Sequence, residues 1–114
     1  MTEGAVFLWL VIGHAIADYP LQGDWLSKAK NQTLTPVPGE EIWQGALLSH
    51  AAIHAGAVQL ATGSWSLAGF EFGAHVLIDH TKCAGRLSYN ADQALHIGCK
   101  LVWFGLLCIF GPLP

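Results

Sequence analysis

The chain has 114 residues, which suits one domain. Hydrophobic residues make up 53 % of it and charged residues only 11 %, about half the charged share of an ordinary soluble domain. The net charge of −3 argues against a nucleic-acid partner, which needs a basic surface.

The first apolar run, from Gly4 to Ala17, predicts a helix over about 4–26, bent at Pro20. Proline removes one backbone donor, which a membrane helix tolerates when neighbours satisfy the freed carbonyl. His14, Asp18 and Gln22 then fall on one face at successive four-residue steps. Met1 to Gly4 lacks a basic flank and no small-residue cleavage site follows, so the run reads as a retained helix rather than a cleaved signal. Ser27 to Gly39 is a loop, with two prolines and polar spacers.

The second helix is expected over about 41–62. Its many small residues, among them Gly45, Ala51, Ala52, Gly56 and Ala57, suit close helix packing in lipid. Thr62-Gly63-Ser64 reads as a turn. The third helix, about 66–88, is interrupted by Glu71, read as a polar contact inside the bundle, and spans a bilayer only if it continues past Asp79. The fourth, about 91–111, has Asn90 as its expected N-cap and Asp92 in its first turn. It ends at Gly111 and Pro112. The expected fold is therefore all-α: a single four-helix transmembrane domain over residues 1–114 with an intramembrane His/Asp metal site.

The lysines and arginine orient it. Lys28 and Lys30 follow the first helix, Lys82 and Arg86 lie near the end of the third, and the termini carry none. The positive-inside rule then puts both connections in the cytoplasm of a bacterial-type inner membrane and both termini outside. Lys100, within the fourth helix, must snorkel or face the bundle interior.

Four polar pairs repeat at a spacing of four residues: His14 and Asp18, His50 and His54, His75 and Asp79, Asp92 and His96. On a helix each pair shares one face. Up-down packing gathers them in the cytoplasmic half of the bundle, with His50 and His54 roughly 12–20 Å along the second helix and brought level by tilt. An Asp at mid-membrane costs about 2.5–3.5 kcal/mol on insertion scales. A divalent cation offsets that cost, and imidazole with carboxylate is a ligand set for zinc above all, and for iron, manganese or nickel. Eight donors exceed one tetrahedral ion, so two ions, or one with outer orienting carboxylates, are expected. A single pair of this kind is more often a packed core histidine, and a proton or ion pathway is the competing reading of the set.

Around these pairs, Gln22 and Gln93 are read as hydrogen-bonding either the ligands or neighbouring helices. Lys82 is read as a snorkelling flanking lysine, a neutraliser of Asp79 or a phosphate ligand, and His80 as a ligand of second rank. Cys83, Cys99 and Cys108 form no CxxC and read as buried free thiols, Cys83 lying near the cluster.

The segments VIGHAIADYPLQGDWLSKAKN, LLSHAAIHA, HVLIDHTKC and DQALHIGCK, in that order, resemble a family of small phage and bacterial membrane proteins known as domain of unknown function 3307. More distantly the chain is similar to inner-membrane proteins described as metal-dependent hydrolases. That resemblance implies a metal-ligand role for His14, Asp18, His50, His54, His75, Asp79, Asp92 and His96, and supplies no substrate.

The leading expectation is a metal-dependent hydrolase acting on a lipid or lipid-linked (phospho)ester, with Asp92 or Asp79 as general base. The partners are then membrane lipids, a lipid-linked substrate and a second copy of the chain. Two alternatives share the site: a metal-stapled membrane protein that binds a partner, and an ion or proton transport component requiring an oligomer. A soluble His/Asp phosphohydrolase fits less well, because its doublet appears reversed as Asp79-His80.

Overall fold

The computed structural model of the protein describes residues 1–114, folded into five helices and no strand: α1 (Glu3–Asp18), α2 (Gly23–Ala29), α3 (Trp43–Thr62), α4 (Trp65–Cys83) and α5 (Tyr89–Phe110). The expected four helices become five because the first is broken rather than bent. Pro20 has no N–H to give to Ile16, and that carbonyl takes the amide of Leu21 instead at 3.1 Å. Gly23 then adopts φ 65°, and α2 leaves at 83° to α1. Gln22 consequently sits in the turn, off the face shared by His14 and Asp18.

Side-chain caps set the other ends. Thr2 accepts from the amide of Ala5, Ser64 from that of Leu67 and Ser88 from that of Ala91. The N-cap of α5 is thus Ser88 rather than Asn90, and the helix starts two residues earlier than expected. Gly63 ends α3 in a left-handed conformation. The third predicted helix stops short, at Cys83, because Gly85 at φ 82° turns the chain.

The four long helices form a ring in which α1 packs on α3, α3 on α4, α4 on α5 and α5 on α1. Every neighbouring pair is antiparallel: Gly13 meets Ala57, His54 meets His75, Glu71 meets Lys100 and Phe7 meets Phe104. Both termini therefore lie at one end of a molecule 48 Å long and 23 × 21 Å across. Pro114 closes that end, its carbonyl accepting from the Ser64 hydroxyl and the Ser66 amide. The short helix α2 packs against α3, covering the part of α3 that projects beyond the end of α1.

Between the helices the terminal end is apolar, built from Leu10, Val58, Ala61, Leu67 and Trp103. The rest of the interior is polar. Of the 21 buried residues, 11 are polar or charged, an excess over the mostly apolar interior of a soluble domain. The large apolar side chains instead point outward on every long helix, including Trp9 and Ile12 on α1, Leu60 on α3, Leu77 on α4 and Ile109 on α5. By length and mean hydropathy only α5 is by itself long and apolar enough to cross a membrane. The chain of α1 and α2 qualifies jointly but is sharply bent.

Candidate metal centre

Five histidines from four helices meet on the bundle axis. The rings of His54 and His75 stack at 3.8 Å between centroids, and those of His75 and His96 at 4.4 Å. His50 meets His54 edge-on at 4.7 Å, and His14 lies 5.2 Å from His54. His50 and His54 come level with the other pairs because α1 ends at Asp18, opposite His50, so α3 overhangs α1 by about two turns.

Asp18, the last residue of α1, is the hub. Its Oδ1 accepts from His54 Nε2 at 2.9 Å and lies 3.3 Å from His50 Nε2. Its Oδ2 accepts from the Gln93 amide at 2.8 Å and lies 3.4 Å from His14 Nε2. Gln93 thereby fixes three neighbours, since it also donates to Asp92 Oδ2 at 3.2 Å and accepts from His14 Nε2 at 3.0 Å. Donor atoms of Asp18, His50, His54 and His75 all fall within 4.8 Å of one another. A tetrahedral ion with bonds near 2.1 Å holds its ligand atoms about 3.4 Å apart, so the Asp18–His50 and Asp18–His54 separations already approach that spacing.

The nitrogens of these rings test whether such an ion fits. Both ring nitrogens of His50 and both of His75 are buried without a hydrogen-bond partner. Each unsatisfied buried polar group costs about 1–3 kcal/mol. Paired imidazole lone pairs around a carboxylate oxygen are a donor set for zinc or a related divalent ion, so the residues fit.

The other predicted ligands lie around this group in distinct settings. Asp79 is an ion-pair partner: Lys30 Nζ donates to its Oδ2 at 2.6 Å, and His50 and His75 stand 3.8 and 3.7 Å away. Asp92 is buried beside His96, with 3.3 Å between Oδ1 and Nε2. His96 joins a second close group with His75 and Glu71. Glu71 itself accepts from Lys100 Nζ at 2.6 Å and from the Trp103 indole at 2.7 Å.

Lys30 escaped sequence reasoning, and Glu71 was placed as a polar contact inside the bundle but not among the histidines. Lys30 is buried, not a loop charge, because α2 swings it back onto Asp79. Glu71 faces the histidines, and its signal was present: Glu71, His75 and Asp79 continue the four-residue spacing, as do Asp92, His96 and Lys100. Three residues lie outside the cluster. His80 packs against Trp43, Lys82 sits 5.9 Å over the Tyr89 ring, and the Gln22 carbonyl oxygen is buried without a partner. All three cysteines are free, and Cys108 is exposed rather than buried. At the end away from the termini, the hydroxyls of Tyr19 and Tyr89 share a hydrogen bond that raises the Tyr19 pKa above the usual phenol value.

The chain belongs to the family described as protein of unknown function (DUF3307), whose model matches residues 6–109. No curated protein and no solved structure matches it.

Proposed function

We propose that the chain is an integral membrane protein of a bacterial-type inner membrane that holds a divalent ion between Asp18, His50, His54 and His75. The observation that carries this reading is the inverted polarity of the bundle. His50, Glu71 and His75 are at most 1 % exposed, whereas Leu60, Trp65, Leu77 and Ile109 are each at least 68 % exposed. So large an apolar exterior is unfavourable in water and ordinary against acyl chains. The modest mean hydropathy of α3 and α4 has largely the same origin: His50, His54, Glu71, His75 and Asp79 are buried and lower the average without touching the surroundings. With 20 residues, α3 measures about 30 Å, the thickness of a hydrocarbon core.

When bound, the ion supplies Lewis acidity and a water of lowered pKa. The chain's own residues do the positioning. Gln93 holds one oxygen of Asp18 and so aims the other at His50 and His54. Ligands from α1, α3 and α4 then tie three helices together, and Gln93 couples α5 to them, so the ion staples a small bundle. Purified in detergent from metal-replete cells, the protein should carry one ion per chain that chelation removes. The double substitution His50→Ala with His54→Ala should empty the site. Metal-free protein, or full occupancy in the double variant, overturns the reading. Reporters fused at Pro114 and within the Thr33–Gly39 loop should lie on opposite sides of the membrane, with the terminus outside.

A second reading adds hydrolysis of a lipid-linked (phospho)ester. It rests on Asp92, whose Oδ1 is buried with no hydrogen-bond partner and lies in the first turn of α5, where the helix dipole favours an anion. Such an oxygen, 3.3 Å from His96 Nε2, can take a proton from a water admitted to the interior beside it. Asp79 suits that role less well, because Lys30 already occupies its Oδ2. Asp92→Asn should keep metal and fold while abolishing turnover of a phospholipid or lipid-linked phosphate; full turnover in that variant removes Asp92 as the base.

A further inference from the structure

The interior contains a second set of donors, of which the proposed ion uses only His75. Glu71, His75 and His96 come from α4 and α5, and their nearest ligand atoms lie within 4.8 Å of one another. His75 belongs to both sets, with its two ring nitrogens turned to different neighbours. Nε2 lies toward Asp79 at 3.7 Å, and Nδ1 faces Glu71 Oε1 at 3.5 Å. Both nitrogens are buried without a hydrogen-bond partner, as is Nδ1 of His96.

One feature distinguishes this second set from the first. The Glu71 oxygen that faces His75, Oε1, is the same oxygen that takes Lys100 Nζ at 2.6 Å. The other oxygen takes the Trp103 indole. Lys100 is 1 % exposed, so its ammonium neither snorkels nor meets water, and Glu71 is its carboxylate partner. A cation therefore already stands on the carboxylate of this group, tethered to α5 by a covalent side chain.

We infer that Lys100 is a built-in cation that closes a second metal position formed by Glu71, His75 and His96, so that the bundle takes one divalent ion and not two. The inference rests on the proposed ion at Asp18, His50, His54 and His75 only for the count in the unaltered chain. An ammonium on Glu71 Oε1 repels a divalent ion brought to the same oxygen and occupies its space. Removing the ammonium leaves a buried carboxylate facing imidazole nitrogens, which is a zinc-type donor set; with both ions bound, His75 would bridge them as imidazolate, its ring proton released to bulk water. A flexible lysine stem reaches this position without fixing the geometry that a metal demands.

The test is metal stoichiometry in detergent, with zinc as the probe, on the unaltered chain and on Lys100→Met. One ion rising to two supports the inference. Lys100→Arg, which keeps the positive charge, should stay at one. Lys100→Met combined with Glu71→Gln should also return to one, because it removes the second position's carboxylate and leaves no unpaired charge. One ion in both the unaltered chain and folded Lys100→Met overturns the inference and leaves the first site standing. None in the unaltered chain but one in Lys100→Met overturns the first site and supports this one. Two ions in the unaltered chain, or none in either protein, overturn it. Failure of Lys100→Met to fold even with excess zinc also overturns it, because the second ion would supply the charge that Lys100 gave.

Discussion

At the end of the bundle that carries the termini, Leu10, Val58, Ala61, Leu67 and Trp103 fill the space between the helices. Toward the other end the same helices bury His14, His50, His54, His75, His96, Asp79 and Asp92, with Asp18 at 10 % exposure beside them. The apolar end needs nothing beyond the chain to be satisfied. The polar end has Asp79 and Glu71 matched by tethered ammoniums at Lys30 and Lys100, and at least one ring nitrogen of each of its five histidines without a partner. Stability at the first end comes from contact area, and at the second from charge pairing and, with the proposed ion bound, coordination. The two ends should therefore respond differently to the same perturbations.

The largest expected effect breaks the charge pairing. Lys30→Met leaves Asp79 buried with no cation, which costs about 3–5 kcal/mol for a buried pair broken on one side. Adding Asp79→Asn should restore most of that loss. Thermal unfolding in detergent reads both, and an unchanged melting temperature in Lys30→Met would mean that Lys30 is not held inside.

Chelation comes next. A ligand at a hundredfold excess over its dissociation constant stabilises a protein by about 2.7 kcal/mol, so removing the ion should lower the melting temperature measurably. In the His50→Ala, His54→Ala variant chelator should have no effect. Leu67→Ala, at the apolar end, should cost on the order of 2 kcal/mol with chelator and without it. A Leu67→Ala cost that vanishes when metal is removed would show that the two ends do not act independently.

How much of this was legible depends on distance along the chain. The four-residue pairs announced helices and their inward faces, because period is a local property. Helix ends were less legible: Ser88 rather than Asn90 caps α5, a choice between residues two positions apart that the downstream amide of Ala91 decides. The break at Pro20 was foreseen as a bend, but its size depended on Gly23 accepting a positive φ. Lys30 was illegible in principle. Its partner Asp79 lies 49 residues away, and only the turn of α2 brings the two together. Glu71 was legible as a polar contact inside the bundle, which its bonds to Lys100 and Trp103 bear out; its four-residue interval to His75, which matches the other pairs, also marks it as facing the histidines.

The smallest expected effect joins the two ends. Gly13 lies at the crossing of α1 and α3, one residue before His14. A Cβ added there would stand 3.2 Å from the Ala57 Cβ, tighter than ordinary van der Waals contact, and both atoms are too short to swing aside. The helices must separate by a few tenths of an ångström. Alanine in place of a helical glycine gains about 1 kcal/mol in propensity, so the metal-free stability of Gly13→Ala should change little. The separation, however, moves Asp18 away from His54, whose 2.9 Å contact spans the same pair of helices. Metal affinity should fall roughly fivefold, the equivalent of about 1 kcal/mol. Gly56→Ala is the matching control. It sits on the same face region of α3 next to Ala57, with nothing within 4 Å of its added Cβ, and it gains the same propensity. If Gly56→Ala and Gly13→Ala weaken zinc binding equally, the effect is general to helix glycines and the close crossing does not set the width of the site. If only Gly13→Ala weakens it, the spacing of two backbones governs how closely Asp18 approaches its histidines.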